Sequence, residues 1–129
     1  MDKTTILKGF NNHFLEFGQD LMNILPDDYD LKTAYTFLEG LKKINPKKII
    51  EIWHTWILKH YKKEIDDGDY LFFENKDYGY DIGDNTGNSK LLNSVEKFKN
   101  KCSQLNKKNK EKSMKYIQNL SKLCEIYYN

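Results

Sequence analysis

The chain has 129 residues, of which 31% are charged, with a mean hydropathy of −0.80 and a net charge of +2. This length fits one domain, residues 1–129, that can bury a core without disulfide support. The N-terminus MDKTTILKGF lacks the basic residues and the long apolar run of a secretory signal. No apolar stretch approaches the ~18 residues of a membrane span. We therefore expect a soluble, intracellular protein that does not contact membranes.

The charge is distributed unevenly along the chain. Residues 1–88 contain 11 Lys and 16 Asp or Glu, a net charge of −5, whereas residues 89–129 contain 10 Lys and 3 Asp or Glu, a net charge of +7.

The two cysteines, Cys102 and Cys124, fall on apolar positions of predicted helices, so we expect buried thiols in a reducing compartment.

Apolar residues recur at alternating spacings of three and four along most of the chain, which is the pattern of amphipathic helices. Pro26 ends the first helix, and Asp28 or Asp30 caps the second. Asn45 as N-cap and Pro46 as first residue open the third helix. The polar run NKKNKEKS separates the last two. Helices are predicted at about residues 4–25, 31–44, 46–62, 89–105 and 110–127.

The predicted fold class is all-α, a bundle of about five helices with one long irregular insertion, residues 65–88, between helices 3 and 4. No stretch alternates apolar and polar residues with β-branched enrichment, so at most a short strand near residues 70–73 is expected. Near-heptad spacing in the first and fourth helices also permits a coiled-coil pairing or a dimer seam.

The stretch GDYLFFENKDYGYDIGDNTGNSK, residues 68–90, includes most of this insertion and combines aromatic, acidic and glycine residues. Its aromatic residues are too numerous to remain in water, so some must pack. We expect Asp69 to cap a short helix or turn that inserts Phe72 or Phe73 into the bundle, with Tyr70 as part of the same anchor. An exposed tip would follow, made of Asp77, Tyr78, Tyr80 and Asp81. Such a tip suits either an interaction loop or a structural clamp over the open end of the bundle.

Several enzymatic and metal-binding interpretations fail on spacing. EF-hand registers that start at Asp77 or Asp81 place Ile82 or Thr86 where the loop requires glycine. A nuclease arrangement built from Pro26-Asp27 and Glu74-Asn75-Lys76 requires a sheet, which is not predicted. His54 and His60 are six residues apart and lie on different helix faces, so they cannot share a metal without outside ligands. We expect no catalytic residue, no metal and no cofactor, and therefore no enzyme.

The lysines of the C-terminal region provide an alternative function. A positive face of lysines would neutralise phosphates without reading base sequence, and the absence of Arg argues against base-specific contacts. The other interpretation is a solvated, lysine-rich turn. A third is attraction between this region and the acidic aromatic segment, within one molecule or between copies. The nucleic-acid candidates are Lys107, Lys108, Lys110, Lys112 and Lys115, with Lys97, Lys99, Lys101 and Lys122 on the same predicted face.

Four stretches of the chain, FNNHFLEF, INPKKIIEIW, GDYLFFENKDY and KEKSMKYIQNL, resemble uncharacterised small helical proteins of the nucleocytoplasmic large DNA viruses. The resemblance spans most of the chain. It implies a context, namely host cytoplasm, a virus factory or a virion, and carries no catalytic or binding residue.

Together these observations predict a non-enzymatic interaction or structural protein that acts through residues 69–82. We expect a protein partner, with self-association as one form of it, and infer no small-molecule substrate. Non-specific nucleic-acid binding through the C-terminal lysines is the alternative.

Overall fold

The computed structural model describes residues 2–74 and 88–129, and within them every regular element is helical, with no β-strand. The predicted all-α class is confirmed. The helices are α1 (Lys3–Ile24), α2 (Tyr29–Ile44), α3 (Lys48–Ile52), α4 (Lys59–Asp67), α5 (Leu71–Glu74), α6 (Asn88–Cys102) and α7 (Lys107–Tyr128), with a π-helical turn (Trp53–Leu58) joining α3 to α4.

The predicted N-caps of the second and third helices have different outcomes. Asp28 accepts a hydrogen bond from the Leu31 N–H at 3.0 Å and caps α2, as expected. Asn45 and Pro46 form a turn instead of opening the third helix, and α3 begins at Lys48. The Pro46 carbonyl accepts a hydrogen bond of 2.8 Å from the Asn11 side chain of α1, which ties this turn to the bundle.

The helix that contains Trp53 is longer than predicted, because it continues to Asp67 instead of ending near residue 62. Gly68 ends it in a left-handed conformation, φ +66°. Its N–H donates to Ile65 O at 3.1 Å and the Asp69 N–H donates to Glu64 O at 2.8 Å, the two bonds of a Schellman cap. Part of the predicted irregular segment is therefore helical, and residues 75–87 of it lie outside the described residues.

The lysine-rich run that was predicted to separate the last two helices is itself helical. Asn106 accepts a hydrogen bond of 2.9 Å from the Asn109 N–H and caps α7, which then includes Lys107 and Lys110. Helix α6 ends at Cys102 instead of near residue 105.

Aromatic rings fill the centre of the bundle. The Trp53 ring meets the Phe10 and Phe14 rings edge-on, each at 6.0 Å between centroids, and Phe14 stacks on Phe98 of α6 at 5.5 Å. The buried Trp53 indole N–H donates to Ser121 Oγ of α7 at 3.0 Å, which satisfies its only polar atom. The helix that contains Trp53 therefore lies at the centre of the fold.

Helices α1 and α7 pack along each other in opposite directions. Lys3 at the start of α1 lies over the ring of Tyr127 at the end of α7, while Asp20 meets Tyr116. The apolar residues of α1 are buried within the chain, so they are not free to form a coiled-coil seam between copies.

Both cysteines are free, buried thiols, as expected. Burial raises the pKa of Cys102 and of Cys124 to about 12. At neutral pH both therefore remain protonated.

Candidate functional site

Helix α5 anchors the aromatic segment in the bundle. Asp69 caps it by accepting a hydrogen bond from the Leu71 N–H at 2.9 Å. Phe72 and Phe73 are each only 1% exposed, and the Tyr70 side chain packs against the same core. The predicted anchor is thus found, with both phenylalanines buried rather than one. The other predicted interaction residues, Asp77, Tyr78, Tyr80 and Asp81, lie outside the described residues.

Helix α5 contacts α4 and α6. The Phe72 ring meets the Tyr61 ring of α4 edge-on at 5.3 Å. Helix α5 also packs directly on α6. On the side of α7, partial burial raises the pKa of Tyr70, and the nearby Glu111 carboxylate raises it further. The Gln118 side chain of α7 donates a hydrogen bond of 3.0 Å to Ile65 O, so the end of α4 that precedes the aromatic segment lies beside α7.

A buried lysine lies under α5. Lys99 of α6 is 2% exposed, and its Nζ lies 3.9 Å from the centroid of the Tyr61 ring and 5.2 Å from that of Phe72. Glu96, one turn earlier on α6, accepts a hydrogen bond from this Nζ at 3.3 Å. Lys99 was predicted to belong to an exposed positive face, and this prediction was wrong. The sequence signal for the burial of Lys99 was its spacing. Position 99 is four residues after Val95 and three before Cys102, and both of these residues are buried.

Two of the remaining candidate lysines form ion pairs with the N-terminal half of the chain. Lys101 Nζ lies 2.8 Å from Asp28 Oδ2, and Lys112 Nζ lies 3.2 Å from Asp20 Oδ2. The hydrogen bond from Lys101 lowers the pKa of Asp28. The opposite charges of the two halves of the sequence thus partly meet inside one molecule.

A line of lysines lies on the outer face of α7, and it includes Lys112, which also pairs with Asp20. Lys108, Lys112, Lys115 and Lys122 are exposed, and their spacings of four, three and seven residues keep them within about 80° around the helix axis. The line extends about 21 Å along the axis. Lys107 and Lys110 lie roughly 100° or more away from its centre. We call Lys108, Lys112, Lys115 and Lys122 the lysine line.

An open groove of about 520 Å³ lies where the π-helical turn meets the end of α7. The His54 ring stacks on Tyr128 with centroids 4.0 Å apart, and Lys62 lies 3.3 Å from Glu125 and 3.0 Å from Asp66. Sequence reasoning missed this groove, because its lining comes from positions far apart in the chain. The Lys62–Glu125 pair joins α4 to α7.

His54 and His60 are exposed and His13 is partly buried. Within residues 2–74 and 88–129, no group of three or more His, Cys, Asp or Glu is arranged to hold a metal ion. In the same ranges, no helix combines the length and the apolar character needed to cross a bilayer.

Comparisons of the chain with family models, with curated proteins and with solved structures gave no match.

Proposed function

We propose that this protein is a non-enzymatic helical protein that binds another protein through residues 69–82. The observation that supports this most is the complete burial of Phe72 and Phe73. A segment that begins at a rigid base loses less conformational freedom on binding than a free loop. The tyrosines and acids that follow Glu74 have the composition of binding loops, in which an aromatic ring offers contact area at a low entropy cost.

The exposed side chain of Leu71 adds an apolar contact at the base of this segment. It is 53% exposed on α5, although Phe72 and Phe73, which follow it, are buried. A partner that contacts residues 77–82 could also cover Leu71, which supports placing the binding surface at this end of the bundle.

The test is affinity capture from the source cells with the wild-type chain and a Tyr78→Ala/Tyr80→Ala variant. We expect the double variant to lose the specific partner. Tyr29→Ala is the matched control, because Tyr29 is 79% exposed at the start of α2 and lies outside the proposed surface. Retention of every partner by the double variant would argue strongly against this site.

Self-association is one form of this proposal. The acidic segment of one copy and the lysine line of another have opposite charges, which would steer their encounter. Light scattering after gel filtration, over a range of concentrations and at low and high salt, measures it. If the protein is a monomer at every concentration, self-association is excluded and the partner must be a different protein.

The second candidate function is non-specific nucleic-acid binding, and the lysine line supports it. Four lysines on one face can engage at most four phosphates, because each phosphate contact needs one cation. For duplex DNA, log K should then fall against log salt with a slope of about −3 to −4.

Lys115→Gln/Lys122→Gln should reduce this slope by about two if both lysines contact phosphates. Lys47→Gln, on an exposed lysine between α2 and α3, is the control and should leave the slope unchanged. Binding that does not weaken with salt, or no binding to DNA or RNA, would exclude this function.

The resemblance to small viral proteins supports a further element of the proposal, a site of action in the host cytoplasm, a virus factory or a virion. Immunofluorescence in infected cells, with purified virions analysed by mass spectrometry, tests it. Absence from all three locations would remove the viral context without affecting the binding proposal.

A further inference from the structure

A buried cation normally weakens a protein core, so the partners of Lys99 indicate its role. An ammonium group is stable in an apolar interior only when charges or aromatic faces replace its water. Glu96 supplies the charge at 3.3 Å and Tyr61 supplies an aromatic face at 3.9 Å. Tyr61 belongs to α4, so the contact joins α6 to the helix that precedes α5.

The second aromatic face belongs to α5 itself. Lys99 Nζ lies 5.2 Å from the centroid of the Phe72 ring, within the range of a cation–π contact. Phe72 meets Tyr61 edge-on at 5.3 Å, so the ammonium group and the two rings are in mutual contact. Phe72 cannot leave the bundle without losing both contacts.

We propose that Lys99 is a positioning residue for the interaction segment, and that its charge holds α5 on the bundle and so sets where residues 69–82 begin. This inference rests on the proposed function of that segment. The inference adds a regulating contact to the proposed binding segment. Any change that neutralises or removes Lys99 would release α5, from which that segment continues, from the bundle.

The test is hydrogen exchange of the wild-type chain and of Lys99→Met, a neutral side chain of similar length. The readout is the amides of Leu71, Phe72 and Phe73, whose N–H groups donate to Asp69 Oδ1, Asp69 O and Tyr70 O. We expect them to exchange about tenfold faster in the variant, the effect of losing cation–π contacts in a desolvated site. Amides of α7 should change by a much smaller factor.

Two variants control this experiment. Lys97→Met removes an exposed lysine two positions away on the same helix and should leave α5 unchanged. Lys99→Arg keeps a cation and should restore a large part of the protection, which a purely volume-filling role would not predict. Unchanged exchange of α5 in Lys99→Met, or equal acceleration in α5 and α7, would overturn the proposal.

If Lys99→Met does not fold, Glu96→Gln/Lys99→Met removes both charges and gives the same readout. Failure of both variants to fold would show that Lys99 supports the whole bundle, and would overturn a local role. Exchange is measured without a partner, so its result is independent of capture with Tyr78→Ala/Tyr80→Ala. If α5 exchanges faster in Lys99→Met but Tyr78→Ala/Tyr80→Ala still captures every partner, the role of Lys99 in holding α5 on the bundle is retained. The proposed binding site is then rejected.

Discussion

Asp20 shows how single side chains join the acidic first half of the chain to its basic end. The Tyr116 O–H donates to Asp20 at 2.5 Å, and Lys112 lies 3.2 Å from the same carboxylate oxygen. The hydrogen bond from Tyr116 lowers the pKa of Asp20, and Lys112 lowers it further. Burial and the Asp20 carboxylate raise the pKa of Tyr116. The pair therefore favours a charged carboxylate and a neutral phenol.

This arrangement predicts a loss of stability in acid. A carboxylate whose pKa is lower in the folded state contributes stability above its unfolded pKa of about 4, and this contribution is lost as pH falls through the folded pKa. The free energy of unfolding of the wild-type chain, from urea titrations between about pH 6 and pH 3, should therefore decrease toward acid. Asp20→Asn should show a shallower decrease.

Asp27→Asn is the control for this measurement, because it changes an exposed carboxylate close to Asp28 in sequence. It should retain the wild-type dependence on pH. An Asp20→Asn profile that parallels the wild-type profile would show that Asp20 is equally protonated in the folded and unfolded states.

Prediction from sequence succeeds at this scale where local chemistry decides the outcome. Asp28 and Asp69 cap helices because a carboxylate next to a helix start accepts a free N–H. Phe72 and Phe73 are buried because exposure of such rings is unfavourable. Lys99 was assigned to the surface because charge is usually excluded from cores, and its contacts with the Glu96 carboxylate and with the rings of Tyr61 and Phe72 explain the exception.

At the scale of the elements, Gly18 allows three helices to approach one another closely. A Cβ at this position of α1 would lie 2.7 Å from Tyr35 Cδ2 of α2 and 2.8 Å from Phe98 Cε2 of α6. The Phe98 ring is buried and in contact with Phe14, so it has little room to move. The glycine is needed here for its small size.

Gly18→Ala should therefore destabilise the protein although alanine favours helix. The gain in helix propensity is about 1 kcal/mol, while overpacking in a filled core costs about 1–3 kcal/mol. We expect a net loss of up to about 2 kcal/mol in the free energy of unfolding, measured with urea.

Gly9→Ala and Gly40→Ala are the matched controls, since no atom lies within 4 Å of a Cβ at either position. Each should stabilise the protein by about 0.5–1 kcal/mol. A Gly18→Ala variant as stable as Gly9→Ala would mean that α1, α2 and α6 separate at little cost.

Helix boundaries were harder to predict than helix identity, for reasons visible at particular ends. Periodicity predicted the helix around Trp53, but its extension to Asp67 depends on the cap at Gly68. The lysine-rich start of α7 contains no apolar residue before Met114, so Asn106 was the available signal for its beginning. Tertiary contacts, such as that of Asn11 with Pro46 O, determine the start of α3 and cannot be predicted locally.

At the scale of the whole molecule, the two halves of the chain share one core. The aromatic centre combines Phe14 of α1, Trp53 of the π-helical turn and Phe98 of α6. Ion pairs between Asp28 and Lys101 and between Asp20 and Lys112 connect the same halves at the surface. The charge asymmetry of the sequence thus contributes to joining the N-terminal and C-terminal helices.

The two thiols can report whether this shared core opens as one unit. Cys102 lies on α6 and Cys124 on α7, both fully buried. The Cys102 S–H donates to Phe98 O at 3.2 Å and the Cys124 S–H donates to Ile50 O at 3.6 Å. With a pKa of about 12, each thiol contains very little thiolate at pH 8, so a disulfide reagent should react only after the surrounding helices open.

We expect both thiols to react with 5,5′-dithiobis(2-nitrobenzoate) at one common rate, at least about 10³-fold slower than in the urea-unfolded chain. Cys102→Ser and Cys124→Ser, measured separately, assign the two rates, and prompt reaction of both in urea is the control. If Cys102 reacts much faster than Cys124, the C-terminal end of α6 opens on its own. In that case the base of α5, which packs on the same helix, would open without global unfolding as well.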